Sequence, residues 1–275
     1  MRERAISAAV IAAVVISVFL LGQPWLTFGI AALSLLAAWE AFRLLPPAGF
    51  PVEPLPGVVL PPLLVLAMGL DIVDVGAIAV YMAAVLVVLA IDGFRRPDPR
   101  DGFLVWVGGT FGATYAALLA FMAAILVAAP DVPADALLGG YLSAGQTWLL
   151  VLVLTVWSFD TFAYLTGRTF KRGRFLNHIS PNKTWSGVIG GTVAAIVVAG
   201  ALAAAAGQWL PGGLLLGLVV AIAGQAGDVA ESMLKRTAGA KDSGSLIPGH
   251  GGILDRVDSF LFAAPVVYAY LLIVA

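Results

Sequence analysis

Long apolar stretches recur along this chain of 275 residues, with short polar segments between them. A helix crosses the roughly 30 Å hydrocarbon core of a bilayer with about 17–25 mostly apolar residues. Charged residues make up 11% of the chain and apolar residues 61%, which is too apolar for a soluble domain to bury or to keep wettable. The sequence therefore predicts an all-α, polytopic membrane protein.

Nine apolar stretches are candidates for transmembrane helices. They are 5–22, 26–45, 55–70, 74–92, 104–128, 147–167, 187–206, 212–233 and 258–275. The third is short and contains two consecutive prolines, which favours a kink or partial insertion. The first is predicted to be a retained helix rather than a signal peptide, because another apolar span follows it and the junction lacks a small-x-small cleavage pattern.

The basic residues fall in alternate connections. All 15 Lys and Arg lie at the N-terminus or after spans two, four, six and eight, and the other loops carry only acidic charges. The positive-inside rule makes the basic side cytoplasmic. We therefore expect the N-terminus inside and the C-terminus outside. The compact chain, without a targeting extension, favours a bacterial cytoplasmic (inner) membrane.

The chain is predicted to contain two regions. Spans one to five, 1–145, are expected to form a scaffold that contacts membrane lipids and a second copy of the chain. Spans six to nine, 146–275, are expected to carry the chemistry, with the cytoplasmic loops 168–186 and 234–257 holding nine of the 15 basic residues. A net charge of −1 gives no indication of a nucleic-acid partner, and the absence of cysteine excludes thiolate sites.

Acidic residues at membrane depth are costly and are usually functional. Asp160 is therefore interpreted as a candidate ligand for a metal or a substrate, and Asp228 as part of a polar helix face. Asp228, Glu231, Ser232 and Lys235 share that face by their i, i+3, i+4, i+7 spacing. The bland alternative is a solvated helix end with a Glu231–Lys235 pair.

Two further features of the same kind have local interpretations. Gly224 and Gly227 precede Asp228 and would suit close approach by another backbone or a ligand. Glu40, near the end of span two, is expected to reach the interface or to pair with Arg43, rather than to have a chemical role.

The densest polar segment is the loop 241–258. Asp255 and Asp258 are spaced i, i+3 at the start of span nine and follow a run of glycines. Two acids at a helix start could simply complement its dipole, but Asp228 arrives at the same side from the preceding span. Carboxylates in such a set are ligands for Mg²⁺ that bridges to phosphate oxygens. We therefore predict a metal site of Asp228, Asp255 and Asp258.

Cations suited to phosphate surround these acids. Lys235, Arg236, Lys241 and Arg256 can neutralise several phosphate charges. Lys183 lies at the entrance of span seven, after Ser180 and Asn182, where a lysine is a reasonable phosphate contact. His250 has no second histidine nearby, so a phosphate hydrogen bond or loop packing is favoured over zinc. These parts together indicate phosphoryl or nucleotidyl chemistry on a lipid head group, without a P-loop.

The segments 232–236, 241–242 and 247–258 resemble the signature of phosphatidate cytidylyltransferases, also called CDP-diacylglycerol synthases. Residues 160–164, 180–187, 227–228 and 38–40 are also similar to family segments. The resemblance implies the reaction of CTP with phosphatidic acid to give CDP-diacylglycerol and pyrophosphate. It also implies an all-helical polytopic fold, divalent-metal dependence and a homodimer.

The resemblance also gives roles to the candidate residues. Asp228, Asp255 and Asp258 would hold Mg²⁺, with a second cation such as K⁺ as an option, and Asp160 is a weaker candidate ligand. The cations expected to meet the substrate phosphates are Lys183, Lys235, Arg236, Lys241 and Arg256, of which Lys235 and Lys241 are assigned to catalysis. The residues expected to shape or hydrogen-bond the substrate site are Ser180, Asn182, Ser232, Asp242 and His250.

Two other functions fit part of the pattern. A transporter or flippase for an anionic lipid would explain acids at membrane depth, but not the collection of polar residues in two loops on one side. A CDP-alcohol phosphatidyltransferase would also handle CDP-lipids, but its DGxxAR pattern followed by spaced GxxxDxxxD is absent from the sequence.

Overall fold

The computed structural model describes residues 2–55, 57–246 and 251–274, and the side chains from residue 12 onward within them. In these ranges the chain forms ten α-helices and no multi-residue β-strand. The helices are α1 (Arg2–Leu21), α2 (Trp25–Leu44), α3 (Leu60–Gly69), α4 (Ala77–Phe94), α5 (Pro99–Ala117), α6 (Ala120–Ala128), α7 (Ala144–Phe170), α8 (Trp185–Ala205), α9 (Leu210–Thr237) and α10 (Leu254–Val274). The prediction of an all-α fold is confirmed.

Seven stretches of the described chain are long and apolar enough to cross a membrane. They are α2, α4, α7, α8, α9, α10 and the stretch Pro99–Ala128, which contains α5 and α6. Their length and composition indicate an integral membrane protein. The predicted count of nine spans and the predicted orientation of the termini are not confirmed and remain predictions.

The third predicted span illustrates the difference in count. Helix α3 has ten residues, so at about 1.5 Å per residue it measures roughly 15 Å, half of a bilayer core. Prolines at its start, Pro61 and Pro62, suit the first turn of a helix, where the backbone N–H groups have no partner within the helix. The apolar run there is real, but the helix formed within it is short.

Contacts divide the chain into two compact units. One comprises the described residues of Met1–Val127 and Met233–Val257, and the other those of Ala128–Ser232 and Asp258–Ala275. In the first unit α2, α3, α4 and α5 pack on one another. Two buried hydroxyls fix this packing, since Ser34 donates to the carbonyl of Ala116 at 3.2 Å and Tyr81 to that of Ala113 at 3.0 Å. The predicted division at residue 145 remains a prediction.

The second unit is built on the close packing of α7 against α8. Phe159 of α7, Ala195 of α8 and Ala221 of α9 form a small buried cluster there. Gly191 of α8 lies directly against α7, and a Cβ added to it would be 2.7 Å from the carbonyl oxygen of Phe159. Two backbones this close leave no room for a side chain.

Replacing Gly191 by leucine is expected to destabilise the second unit, because an oversized side chain in a packed contact costs about 1–3 kcal/mol. The matched control is Ala201→Leu, on the exposed face of the same helix. Thermal unfolding of both variants in detergent measures the effect. Equal losses in the two variants would contradict the packing described for Gly191.

Candidate active site

The signature segment joins the end of α9 to the start of α10. Helix α9 ends at Thr237 and α10 begins at Leu254. In the connection, Gly239 and Gly251 have φ angles of 68° and 82°, a backbone region that favours glycine. The chain therefore turns at these two glycines, and the acidic start of α10 follows directly.

Asp255 is held on both of its oxygens. Its Oδ1 lies 2.6 Å from Nζ of Lys235, and the two side chains are only 9% and 12% exposed. Its Oδ2 accepts hydrogen bonds from the backbone N–H groups of Ser243 at 3.0 Å and Gly252 at 2.8 Å, and the Ser243 hydroxyl is at 3.0 Å. The carboxylate thus ties the end of α9, the connecting loop and the first turn of α10 to one another.

Glu40 of the first unit contacts the same loop as Asp255, a position that the sequence did not predict. The residue is 2% exposed, and its Oε2 accepts hydrogen bonds from the Ser243 hydroxyl and from the N–H of Leu254, each at 2.8 Å. Leu254 is the first residue of α10, whose early N–H groups have no partner within the helix. The expectation that Glu40 reaches the interface is therefore wrong, since it is buried and caps another helix.

Lys183 and Asp228 form an ion pair in the second unit. Lys183 Nζ lies 2.7 Å from Asp228 Oδ2, with the side chains 17% and 35% exposed. Lys183 is placed there by the start of α8, where the Thr184 side chain accepts a hydrogen bond from the N–H of Gly187. The prediction that Lys183 lies at the entrance of this helix is confirmed, but its carboxylate partner was not foreseen.

Asp258 lies beside α9 within the second unit. A Cβ added to Gly227 would overlap the carbonyl oxygen of Asp258, so the two helix backbones are in contact at this point. Of the two interpretations given to Gly224 and Gly227, close approach by another backbone is the one that the structure shows for Gly227. Asp228, the next residue of α9, lies one position from this contact.

The other predicted site residues differ in exposure. Ser232 is buried and its hydroxyl is 3.5 Å from Asp228 Oδ1, a long hydrogen bond. Ser180 is half-buried and precedes Lys183 in the connection between α7 and α8. The exposed ones are Asp160, Asn182, Arg236, Lys241, Asp242 and Arg256. His250 lies outside the described residues.

Some of the predicted carboxylate ligands are placed where they could bind a divalent cation. Mg²⁺ in proteins commonly takes one or two carboxylates and completes its shell with water and substrate phosphates. Asp228 and Asp258 of the second unit are carboxylates of this kind, on helices in backbone contact. Within the described ranges no group of three His, Cys, Asp or Glu side chains is close enough to hold a metal by itself. Asp255 is engaged by Lys235 and by its own loop, so its part in a metal site remains a prediction.

Comparison with known proteins gives relatives of one kind. The aligned part of the chain is 47% identical over 129 residues to the phosphatidate cytidylyltransferase of Brucella abortus, covering 46% of this chain and 47% of that one. The enzyme of the same name from Synechocystis is 47% identical over 133 residues, covering 46% and 45% of the two chains. The one from Bacillus subtilis is 44% identical over 126 residues, covering 45% and 47%.

The alignments span about half the length of these curated relatives. The model of the cytidylyltransferase family reaches further, because it matches residues 2–274. That match includes both helical units, the Lys183–Asp228 pair and the loop held by Asp255. The chain therefore belongs to the cytidylyltransferase family.

Proposed function

We propose that this protein is a phosphatidate cytidylyltransferase, which transfers CMP from CTP to phosphatidic acid and releases pyrophosphate. The observation that supports this most is the family match over residues 2–274, a range that includes the contacts of Asp255 with Lys235, Ser243 and Gly252. The names of the relatives give the substrates for those proteins, and the proposal extends them to this chain as a step in phospholipid biosynthesis.

The proposed reaction is an in-line displacement. An oxygen of the lipid phosphate forms a bond to the α-phosphorus of CTP, and the bond from that phosphorus to the oxygen bridging to the β-phosphate breaks. The electron pair leaves with pyrophosphate, and the attacking oxygen is already anionic, so no strong general base is needed. Catalysis then consists mainly of positioning and of stabilising negative charge.

The cations of the chain have the charge for this task. Lys183 and Lys235 are proposed to contact phosphate oxygens, and each is paired with an aspartate that holds its ammonium group in place. Arg236, Lys241 and Arg256 are exposed and can turn toward a phosphate with little loss of packing. Ser180, Asn182, Ser232, Asp242 and His250 keep their predicted roles in shaping the substrate site.

A divalent cation belongs to the proposal as well. Asp228 and Asp258 are proposed to hold Mg²⁺. Three further proposals rest on the sequence alone: Asp255 as a third ligand, Asp160 as a weaker ligand, and a second cation such as K⁺. Mg²⁺ bound to phosphate oxygens would neutralise charge on CTP and on the leaving pyrophosphate. The ion pair of Asp228 with Lys183 supports the assignment, because it places a carboxylate and an ammonium group side by side, where a phosphate bound to the cation could contact Lys183.

The active site is proposed to face the cytoplasm in a bacterial inner membrane. The basic connections after α4, α7 and α9 are separated by even numbers of the apolar crossings, so they belong to one side irrespective of whether α1 and α3 cross. CTP is a soluble nucleotide, and phosphatidate would enter sideways from the leaflet. The homodimer is proposed from the family resemblance alone.

Purified protein in detergent is expected to release pyrophosphate only when CTP, phosphatidate and Mg²⁺ are all present. Omission of each component, and replacement of CTP by ATP, GTP or UTP, provides the controls. Release without the lipid would indicate nucleotide hydrolysis and contradict the proposal. No release by folded protein, together with lipid-dependent flux in vesicles, would favour the transporter.

A further inference from the structure

We infer that Glu40 is a positioning residue, which holds Ser243 and Leu254 in place and through them sets the placement of Asp255 and Lys235. The inference starts from the two hydrogen bonds that Glu40 Oε2 accepts, from the Ser243 hydroxyl and the Leu254 N–H. One donor lies in the loop that follows α9, and the other is the first residue of α10. A single carboxylate oxygen thus holds Ser243 and Leu254 close together.

Packing alone does not explain why a glutamate occupies position 40 of α2. Its neighbours on the buried face, Ala37, Ala38 and Ala41, are all 0% exposed, and an apolar residue among them would avoid the cost of burying a carboxylate. Within the described residues, no hydrogen bond reaches Glu40 Oε1. The buried carboxylate is therefore compensated by what its other oxygen holds, which is the loop.

The loop is shaped to the carboxylate. Gly244 and Gly252 lie on the Glu40 carboxylate, and a Cβ on either would overlap its atoms. Gly244 follows Ser243 directly, and Gly252 donates its own N–H to Asp255 and precedes Leu254 by two positions. Only glycine at these two positions allows the backbone to approach the Glu40 carboxylate this closely.

Ser243 connects Glu40 to the residues proposed to act on phosphate. Its hydroxyl is 2.8 Å from Glu40 Oε2 and 3.0 Å from Asp255 Oδ2, and the N–H of Asp255 donates back to it at 3.3 Å. Asp255 in turn holds Lys235 at 2.6 Å. Displacing Glu40 would therefore shift Ser243, the start of α10 and the Asp255–Lys235 pair.

The test compares Glu40→Ala, Glu40→Asp and Glu40→Gln with Ser34→Ala. Ser34 is the matched control, because it is buried on the same helix and loses one hydrogen bond to α5 rather than to the loop. Deuterium exchange of the backbone in 241–257 is measured by mass spectrometry in detergent, together with kcat and KM for CTP. We expect faster exchange in that segment for the alanine and aspartate variants, with activity lower by roughly 10- to 100-fold.

Glu40→Gln is expected to restore most of the activity and normal exchange, since its carbonyl oxygen can accept the same two hydrogen bonds. Unchanged exchange in 241–257 for Glu40→Ala would overturn the inference. Activity of Glu40→Gln as low as that of Glu40→Ala would also overturn it, since charge and not position would then matter. The activity readout rests on the proposed function, but exchange does not, so an inactive wild type would refute the function while the exchange result still decides the role of Glu40.

Discussion

Replacing Asp228 by asparagine is expected to lower CTP-dependent pyrophosphate release by roughly 10²- to 10³-fold while the protein stays folded. Asparagine keeps the size of the side chain and one accepting oxygen, but it has no charge. It therefore neither balances Lys183, whose Nζ is 2.7 Å from the carboxylate, nor holds a divalent cation. The initial rate would be measured with CTP and phosphatidate over a wide range of Mg²⁺ concentration.

Asp131→Asn provides the matched control for this prediction. Asp131 is an exposed aspartate of the same unit, in the connection before α7, and it has no proposed role. Its rate is expected to equal that of the wild type at every Mg²⁺ concentration. Normal turnover of Asp228→Asn, with an unchanged dependence on Mg²⁺, would show that Asp228 neither binds the cation nor orients Lys183.

The sequence predicted where the helices of this protein lie better than it predicted where they are interrupted. Apolar runs long enough to cross a membrane mark seven of the nine predicted spans. The run 104–128 was predicted to be one helix, but α5 ends at Ala117 and α6 begins at Ala120. The break consists of Leu118 and Leu119, and leucine is common within the helices too, so composition does not reveal where the helical hydrogen bonds stop.

Residue types in the signature loop indicated a site, but not which side chains pair. Lys235 was expected to meet phosphate or Glu231, and the structure places it 2.6 Å from Asp255. Periodicity describes one helix at a time, whereas this contact depends on where a loop returns the chain. Asp228 and Lys183 are likewise 45 positions apart in sequence, and only tertiary packing brings them together.

Glu40 is the clearest residue that sequence reasoning missed. It precedes its partners Ser243 and Leu254 by 203 and 214 positions, so no spacing rule connects them. A signal was nevertheless present, because a carboxylate among alanines on an apolar helix is costly unless it is hydrogen-bonded. An acidic residue in such a setting is better interpreted as a partner of a distant polar segment than as an interfacial group.

The Lys235–Asp255 pair is expected to show a large difference between single and double replacements. Lys235→Met and Asp255→Asn each remove one member of a pair whose side chains are 12% and 9% exposed. Breaking a buried pair from one side costs about 3 kcal/mol or more, since the remaining charge loses its closest compensation. The double variant is expected to recover part of this loss, because the remaining side chains are neutral, and to stay inactive, because the proposed phosphate contact is gone.

Unfolding in detergent and pyrophosphate release would be measured on the wild type, the two single variants and the double variant. The two measurements separate the contribution of this pair to stability from its contribution to activity. The exposed pair of Arg96 and Glu53, at 3.6 Å with side chains 28% and 75% exposed, supplies the control. Glu53→Gln is expected to cost less than about 1 kcal/mol and to leave activity unchanged. If the two single losses at Lys235 and Asp255 simply added in the double variant, the pair would not be coupled. If the double variant were active, the pair would only hold the loop, and phosphate binding would have to rest on the other cations of the chain.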